Sequence, residues 1–425
     1  MSTRSTSLLF GLGAPVVLAA TLFGGAACSA NNKNTSASGG GGGSDTGNGG
    51  QAGDDIGFGG NGQGGGGPLQ QEPSCEGKDP NIDNDGDGWT GAAGDCNDCT
   101  PQMNPGAQDY AGNNIDEDCN GAKDDSPVLC DGSLALASPD PLDGARAMGL
   151  CKMAQGESWG VVSASYVTAD GQPLSGYDFE GIGWGILPSF GPNVGPQEGA
   201  KMLVLSSGTA RQPGDPGYVG PSGHDKFYTT GSPPGYPKES PACPNVTTGE
   251  PHDSAGLRVV IKTPTNAKSL SFNLNFYTYE FPNYICDVYN DFFVAMLTPT
   301  PAGQADGNIS FDSKGNTLSV NAGFLQVCHP QTASNGAFFD CLLGPDQLAG
   351  TGFDVDFFDQ PTTNSAATAW LQTTTPIAMP GQQITLDFAI WDSGDGVLDS
   401  TVLLDNFQFG LDDTPTVTAP IEDPK

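Results

Sequence analysis

The sequence predicts an all-β protein: a jelly-roll-like β-sandwich preceded by a disordered Gly-rich tether and a small Asp-rich segment stabilised by disulfides and cations. Three observations carry this. Short apolar runs alternate with polar residues at period two through the larger, C-terminal part of the chain, helical periodicity is almost absent there, and composition changes abruptly near residues 75 and 128.

In chain order, residues 1–27 read as a secretion signal. Arg4 supplies a positive charge, an apolar run extends from Leu8 to Phe23, and Gly25, Ala26 and Ala27 lead into Cys28. A cysteine directly after small residues resembles a bacterial lipoprotein signal. The resemblance implies lipidation of the Cys28 thiol, a mature chain beginning at that residue, and a membrane as its partner. Ser29 resembles the outer-membrane default, so the expected location is the outer membrane or cell surface. The run is interrupted by Pro15 and is too short to span a bilayer comfortably.

Residues 28–74 carry that anchor and a linker of Gly, Asn, Ser and Gln, including Gly39 to Gly43 and Gly64 to Gly67. Too little apolar surface exists here to offset chain entropy, so disorder is expected. A Gly-rich chain of this length reaches roughly 35 to 40 Å.

Residues 75–127 switch to Asp, Asn and Gly with cysteines at 75, 96, 99 and 119. So few apolar side chains cannot build a core, and ions or disulfides must hold the shape. The chain has 11 cysteines, and setting Cys28 aside leaves an even ten, as expected of disulfides in an oxidising compartment. Cys96-x-x-Cys99 makes a weak zinc or redox motif, with no second such pair and only three histidines in the chain.

Residues 128–412 carry the sandwich, with strands expected at 202–205, 258–262, 269–281, 292–297, 317–320, 384–391 and 401–409. In the clearest, Leu270, Phe272, Leu274 and Phe276 alternate with Ser271, Asn273 and Asn275, which predicts one buried face and one wet face. One short helix is expected at 141–153, packed over a sheet end and tied by a Cys130–Cys151 bridge. Residues 413–425 form a flexible tail.

Residues 83–88 read D-N-D-G-D-G and residues 116–121 read D-E-D-C-N-G. Oxygen side chains at alternating positions followed by a glycine suit a loop wrapping a hard cation. The expected ligands are Asp83, Asp85, Asp87, the Trp89 carbonyl and Asp95 in the first copy, and Asp116, Asp118, Asn120 and Asp124 in the second. Neither copy has the glutamate an EF-hand places twelve positions in, which argues for a static structural site. Calcium is the expected ion from ligand type. Copper, the lesser reading, would want imidazole or sulfur, for which only Met103 and oxidisable cysteines are at hand.

The run DNDGDGWTGAAGDCNDCTPQMNPGA resembles a thrombospondin type 3 repeat with a longer stretch between Gly88 and Asp95. The span 83–121, including NPGA at 104–107 and NNIDEDCNG at 113–121, is similar to the metal-binding motif named after MopE proteins, a name that carries the copper association. Further on, GIGWGILPSFG at 181–191, KMLVLSSGTA at 201–210, FNLNFYTYEFP at 272–282, NDFFVAML at 290–297 and IWDSGDGVLDSTVLLDNF at 390–407 resemble the choice-of-anchor L domain of bacterial exported proteins. That resemblance implies a surface location and an adhesive β-domain. Members commonly carry C-terminal sorting signals, whereas this chain ends at Pro424-Lys425, so the anchor is expected at the N-terminus instead.

The loop bearing Asp392, Asp395 and Asp399, with Asp405 after it, either binds a second cation or hydrogen-bonds turn amides. A net charge of −34, from 49 acidic against 15 basic residues, excludes nucleic acid as partner and favours divalent cations. Catalysis is not expected. Asp392-Ser393-Gly394 and Asp45-Thr46-Gly47 resemble aspartic-protease triplets, but the second lies in the tether, and no nucleophile elbow, zinc helix or phosphate loop occurs. The expected function is therefore a calcium-binding, lipid-anchored adhesion protein whose ligand is a surface protein or polysaccharide. The alternatives are a carbohydrate-binding module using Trp159, Trp184, Trp370 or Trp391 as a platform, and a metal-capture protein.

Overall fold

The computed structural model describes residues 75–174, 181–333, 336–422 and 424. The signal segment, Cys28, the tether and its Asp45-Thr46-Gly47 lie outside the described residues.

The described chain is all-β. Its strands are β1 (Gly160–Val167), β2 (Trp184–Leu187), β3 (Met202–Ser206), β4 (Pro251–Lys262), β5 (Ser269–Thr278), β6 (Phe292–Thr298), β7 (Leu318–Ser319), β8 (Gln331–Thr332), β9 (Phe338–Phe339), β10 (Ala366–Ala367), β11 (Leu371–Pro376), β12 (Gln383–Ser393), β13 (Ser400–Gly410) and β14 (Val417–Pro420). One sheet runs β1-β4-β12-β6-β7. The other runs β14-β11-β5-β13-β3-β2, with β10 also on β5, and β8 and β9 form a separate hairpin. Every pairing between these strands is antiparallel.

The period-two runs of the sequence supply the faces that meet. Leu257, Val259 and Ile261 of β4 and Ile384, Leu386, Phe388 and Ile390 of β12 share one apolar core with Leu270, Phe272, Leu274 and Phe276 of β5 and Val402 and Leu404 of β13. The rings of Phe272 and Phe388 meet edge to face across the two sheets, 5.0 Å apart.

One expectation about β5 is corrected. Asn273 and Asn275, expected on a wet face, are buried. The outer side of their sheet is covered by a second apolar group that includes Phe190, Tyr277, Phe353, Trp370 and Leu403. Asn273 accepts from Gln372 (3.2 Å) and Asn275 donates to Gln347 (3.4 Å). Alternation separated two chemically different faces, and both are inside.

The helix is also shorter than expected. It spans Pro141–Arg146, with Asp140 capping the Leu142 N–H at 3.0 Å. The chain then turns through Gly149 at φ +91°, and the Leu150 N–H returns to the Ala145 carbonyl at 3.1 Å. Met148 within this turn and Leu150 after it, the apolar positions that suggest a longer helix, are both buried. The Cys130–Cys151 bridge is present, and all ten cysteines are paired, the others as Cys75–Cys99, Cys96–Cys119, Cys243–Cys286 and Cys328–Cys341.

Strands β1, β2, β8, β9, β10, β11 and β14 lie outside the expected strands. A register shift between Val161 and Ser163 breaks the alternation of β1. The threonine-rich β11 offers little apolar contrast to read.

Candidate metal centre

In the first acidic loop the carboxylates organise the turn through backbone amides. Asp83 accepts from Gly86 (2.6 Å) and Gly88 (3.0 Å), Asp85 from Asp87 (3.3 Å), and Asp87 from Trp89 (2.8 Å). Gly86 and Gly88 adopt φ +85° and +95°, which other residues rarely do, with open space where a Cβ would stand. The glycines are therefore needed for backbone curvature, as the D-N-D-G-D-G pattern implied.

Two triads of carboxylate oxygens converge here, Asp83–Asp85–Asp87 and Asp85–Asp95–Asp98, each with its atoms within 4.8 Å of one another. Thr90 caps the single turn Gly91–Ala93, and Gly94 bends the chain so that Asp95 folds back. Oδ2 of Asp85 and Oδ2 of Asp95 are buried without a hydrogen-bond partner. Burial, with the negative charges of Asp87, Asp85 and Asp98, raises the Asp95 carboxyl to about 6. Burial likewise lifts Asp85 and Asp87. Asp98 moves the other way, held low chiefly by the Asn84 N–H at 2.7 Å. This all-oxygen donor set with orphaned buried atoms fits a hard cation. Copper fits poorly, because Cys96, Cys99 and Cys119 are all disulfide-bonded.

The second copy repeats the turn but not the convergence. Asp116 accepts from Asn120 and Gly121 (both 3.0 Å), Asp118 from Asn120 (3.2 Å), and Asn120 from Ala122 (2.7 Å). Asp124 closes a different turn, its Oδ1 accepting from Gly112 (2.7 Å), Asn113 and Asn114 (both 2.8 Å). Among the described residues, three acid oxygens meet within 4.8 Å in the first copy and not in the second. Asp118 instead faces Lys152 at 3.9 Å.

Asp98 and Asn104 escaped the sequence reading. The only signal for Asp98 was its place three residues after Asp95. Asn104, fully buried, donates to Asp87 Oδ2 (2.9 Å) and accepts from Thr265 Oγ1 (2.7 Å), so it ties the acidic loop to the turn between β4 and β5. Thr265 N–H to Gly106 O (3.0 Å) and Gln108 N–H to Asn266 Oδ1 (2.9 Å) complete that seam. Cys96–Cys119 joins the two copies.

The later acids separate. Asp392 and Asp399 are buried at one end of the sandwich, and Asp395 is half-buried in the loop between them. Asp405 stands elsewhere, accepting from Gln197 (2.5 Å), Glu198 (3.1 Å) and Asn406 (2.7 Å). The expectation that all four share a site is corrected: β13 carries Asp405 five residues beyond its first strand residue, away from the loop. Of the candidate sugar platforms, Trp370 and Trp391 are buried and Trp159 and Trp184 are partly buried against the core. Trp184 is stacked on Tyr166 at 4.2 Å.

An antiparallel sandwich with a disulfide-tied acidic segment docked on one of its turns defines an extracellular type of β-domain. The family model for the choice-of-anchor L domain matches residues 190–410, more than half of the chain, and the chain belongs to that family. No curated protein matches it. Among solved structures, the K2 cleaved adhesin domain of Lys-gingipain is similar at 12% identity, covering 59% of this chain and 89% of that one with a TM-score of 0.23, too loose a likeness to inform topology or ligand.

Proposed function

We propose that this chain is a calcium-binding surface protein that works in adhesion, anchored through a lipid on Cys28 and carrying no catalytic activity. Family membership supports the surface role of the sandwich. The calcium reading rests on one observation, the unpartnered buried oxygens of Asp85 and Asp95 inside two converging carboxylate triads. A cation there offsets the burial and the neighbouring negative charges that lift Asp95, and through Asn104 it stiffens the junction between the acidic segment and the β4–β5 turn. The ligand of the sandwich is a surface protein or a polysaccharide. The sugar-platform alternative gains little from tryptophans that are buried or partly buried against the core, and metal capture gains nothing from a donor set without soft atoms.

Calorimetric titration of the chelator-stripped full chain with calcium tests the first part. The calcium bound per chain should fall in D95N, and a titration unchanged by D95N contradicts it. For the second part, cells bearing the protein should lose attachment when residues 190–410 are deleted and keep their membrane-held 28–127 segment. Equal attachment removes the adhesive role.

A further inference from the structure

One end of the sandwich gathers acids that turn chemistry does not explain. Asp392 lies at the end of β12, Asp399 directly precedes β13, Glu280 follows β5, Asp291 precedes β6, and Asp253 lies near the start of β4. Antiparallel register brings these positions together: Asp392 pairs with His252, Trp391 with Phe292, and Ser400 with Thr278. Asp253, Asp291 and Asp392 belong to the ends of one sheet, and Glu280 and Asp399 to the ends of the other. All five are no more than 2% exposed.

Partners can be assigned to only part of this group. Asp253 accepts from Lys226 N–H (2.6 Å) and Tyr228 N–H (3.2 Å). Asp291 accepts from Ser393 N–H (3.3 Å) and Ser400 Oγ (2.7 Å), and Glu280 from Asp291 N–H (3.0 Å). Both oxygens of Asp392 and both of Asp399 have no hydrogen-bond partner. The Ser207 hydroxyl and the Asp291 carboxyl reach Asp392, yet neither makes a hydrogen bond of ordinary geometry with it. Asp399 is pressed against Gly208, where a Cβ would come within 2.0 Å of Oδ2, so the chain keeps this space for the carboxylate.

Two things could quiet five buried carboxyls, protons or a cation. Burial does raise the whole group: Asp253 to about 6, Asp392 to about 7, and Glu280, Asp291 and Asp399 well above their usual range. Protons, however, leave the oxygens of Asp392 and Asp399 without partners, a cost that native interiors rarely carry. Lys226 offers a single positive charge to the group, and its Nζ donates to Ser206 O at 3.4 Å. The orphaned atoms of Asp392 and Asp399 are carboxylate oxygens, which select hard ions.

We propose that this end of the sandwich binds a second hard divalent cation, calcium, with Asp392 and Asp399 as direct ligands and Asp291, Glu280 and Asp253 around them. The ion clamps strand ends from both sheets beside the Asp392–Asp399 loop. The site does not depend on the acidic segment and goes beyond the function proposed above.

The test uses the full chain, stripped with chelator and titrated with calcium chloride. A D85N/D95N/D118N variant disables the acidic segment. It should still bind one calcium per chain, with a melting shift of about 5 °C at saturating ion. Adding D392N/D399N should abolish that binding and shift, while melting without calcium stays level or rises, because neutral amides replace orphaned carboxylates. A D392N/D399N chain with the segment intact should keep the segment's calcium, which separates the two sites. No calcium on the triple variant overturns the proposal, as does calcium that survives D392N/D399N. If the D392N/D399N substitutions prevent folding, metal analysis of the triple variant decides alone.

Discussion

Two regions of this molecule are rich in aspartate and treat it in opposite ways. Between residues 75 and 127 the acids, some exposed and some such as Asp95 and Asp98 buried, accept backbone N–H groups one after another to shape tight turns, and two disulfides hold them in place of a core. In the sandwich the acids at the strand ends are buried beside aromatic residues such as Trp391 and Phe292, where the core already fixes the backbone. In the first region the charges shape the fold. In the second the fold confines the charges, and the apolar core offsets what their burial costs.

That contrast can be broken from either side, beginning with the core. Phe388→Ala removes a ring that meets Phe272 between the sheets and should cost about 3–5 kcal/mol in denaturant unfolding, with calcium unable to restore it. A loss that calcium fully repairs would mean that ions, not packing, hold the sandwich. Replacing Cys96 and Cys119 together by serine should cost the acidic segment about 2–4 kcal/mol. Limited proteolysis should then cut within 75–127 and spare the sandwich, and cleavage spread over both regions would show that they do not fold separately.

Asp405 sharpens the comparison, since it is a buried acid whose oxygens are fully used. Its folded value, raised to about 7 chiefly by burial, stands above the unfolded value of about 3.9. The group therefore favours the folded state most below pH 4, and that contribution is lost as pH rises through 7. In chelator, the parent should melt higher at pH 5 than at pH 7.5, and Asp405→Asn should flatten that slope while costing about 1–3 kcal/mol for a misplaced amide. An unchanged slope would assign the pH response to the other buried acids. The smallest effect is expected at the seam. Thr265→Val deletes the hydroxyl donated to Asn104 and should cost about 1 kcal/mol, read as faster hydrogen exchange at Gly106 to Gln108. No change there would mean the segment is held by its other contacts.

Local chemistry explains what could be read from sequence. The D-N-D-G-D-G turn closes within a few residues, so its spacing announced its geometry, and the period-two runs of β5 and β12 announced the core they build. What depended on distant pairing stayed hidden. Glu280 and Asp291 each sit next to a phenylalanine in the chain and looked like ordinary strand ends, because nothing local says that register brings them beside Asp392. Asn104 stands in the NPGA run with nothing local to mark it, because its partner Thr265 lies 161 residues away. Asp405 was grouped with Asp392 by closeness in sequence, and a strand carried it elsewhere.

In the function proposed above, a cation shared among Asp83, Asp85, Asp87, Asp95 and Asp98 orders the acidic segment. Hydrogen exchange followed peptide by peptide across residues 83–98, with calcium and with chelator, tests it most directly. Slow exchange with calcium and fast exchange with chelator is predicted, with the difference gone in Asp85→Asn. Identical protection in both conditions would contradict the claim.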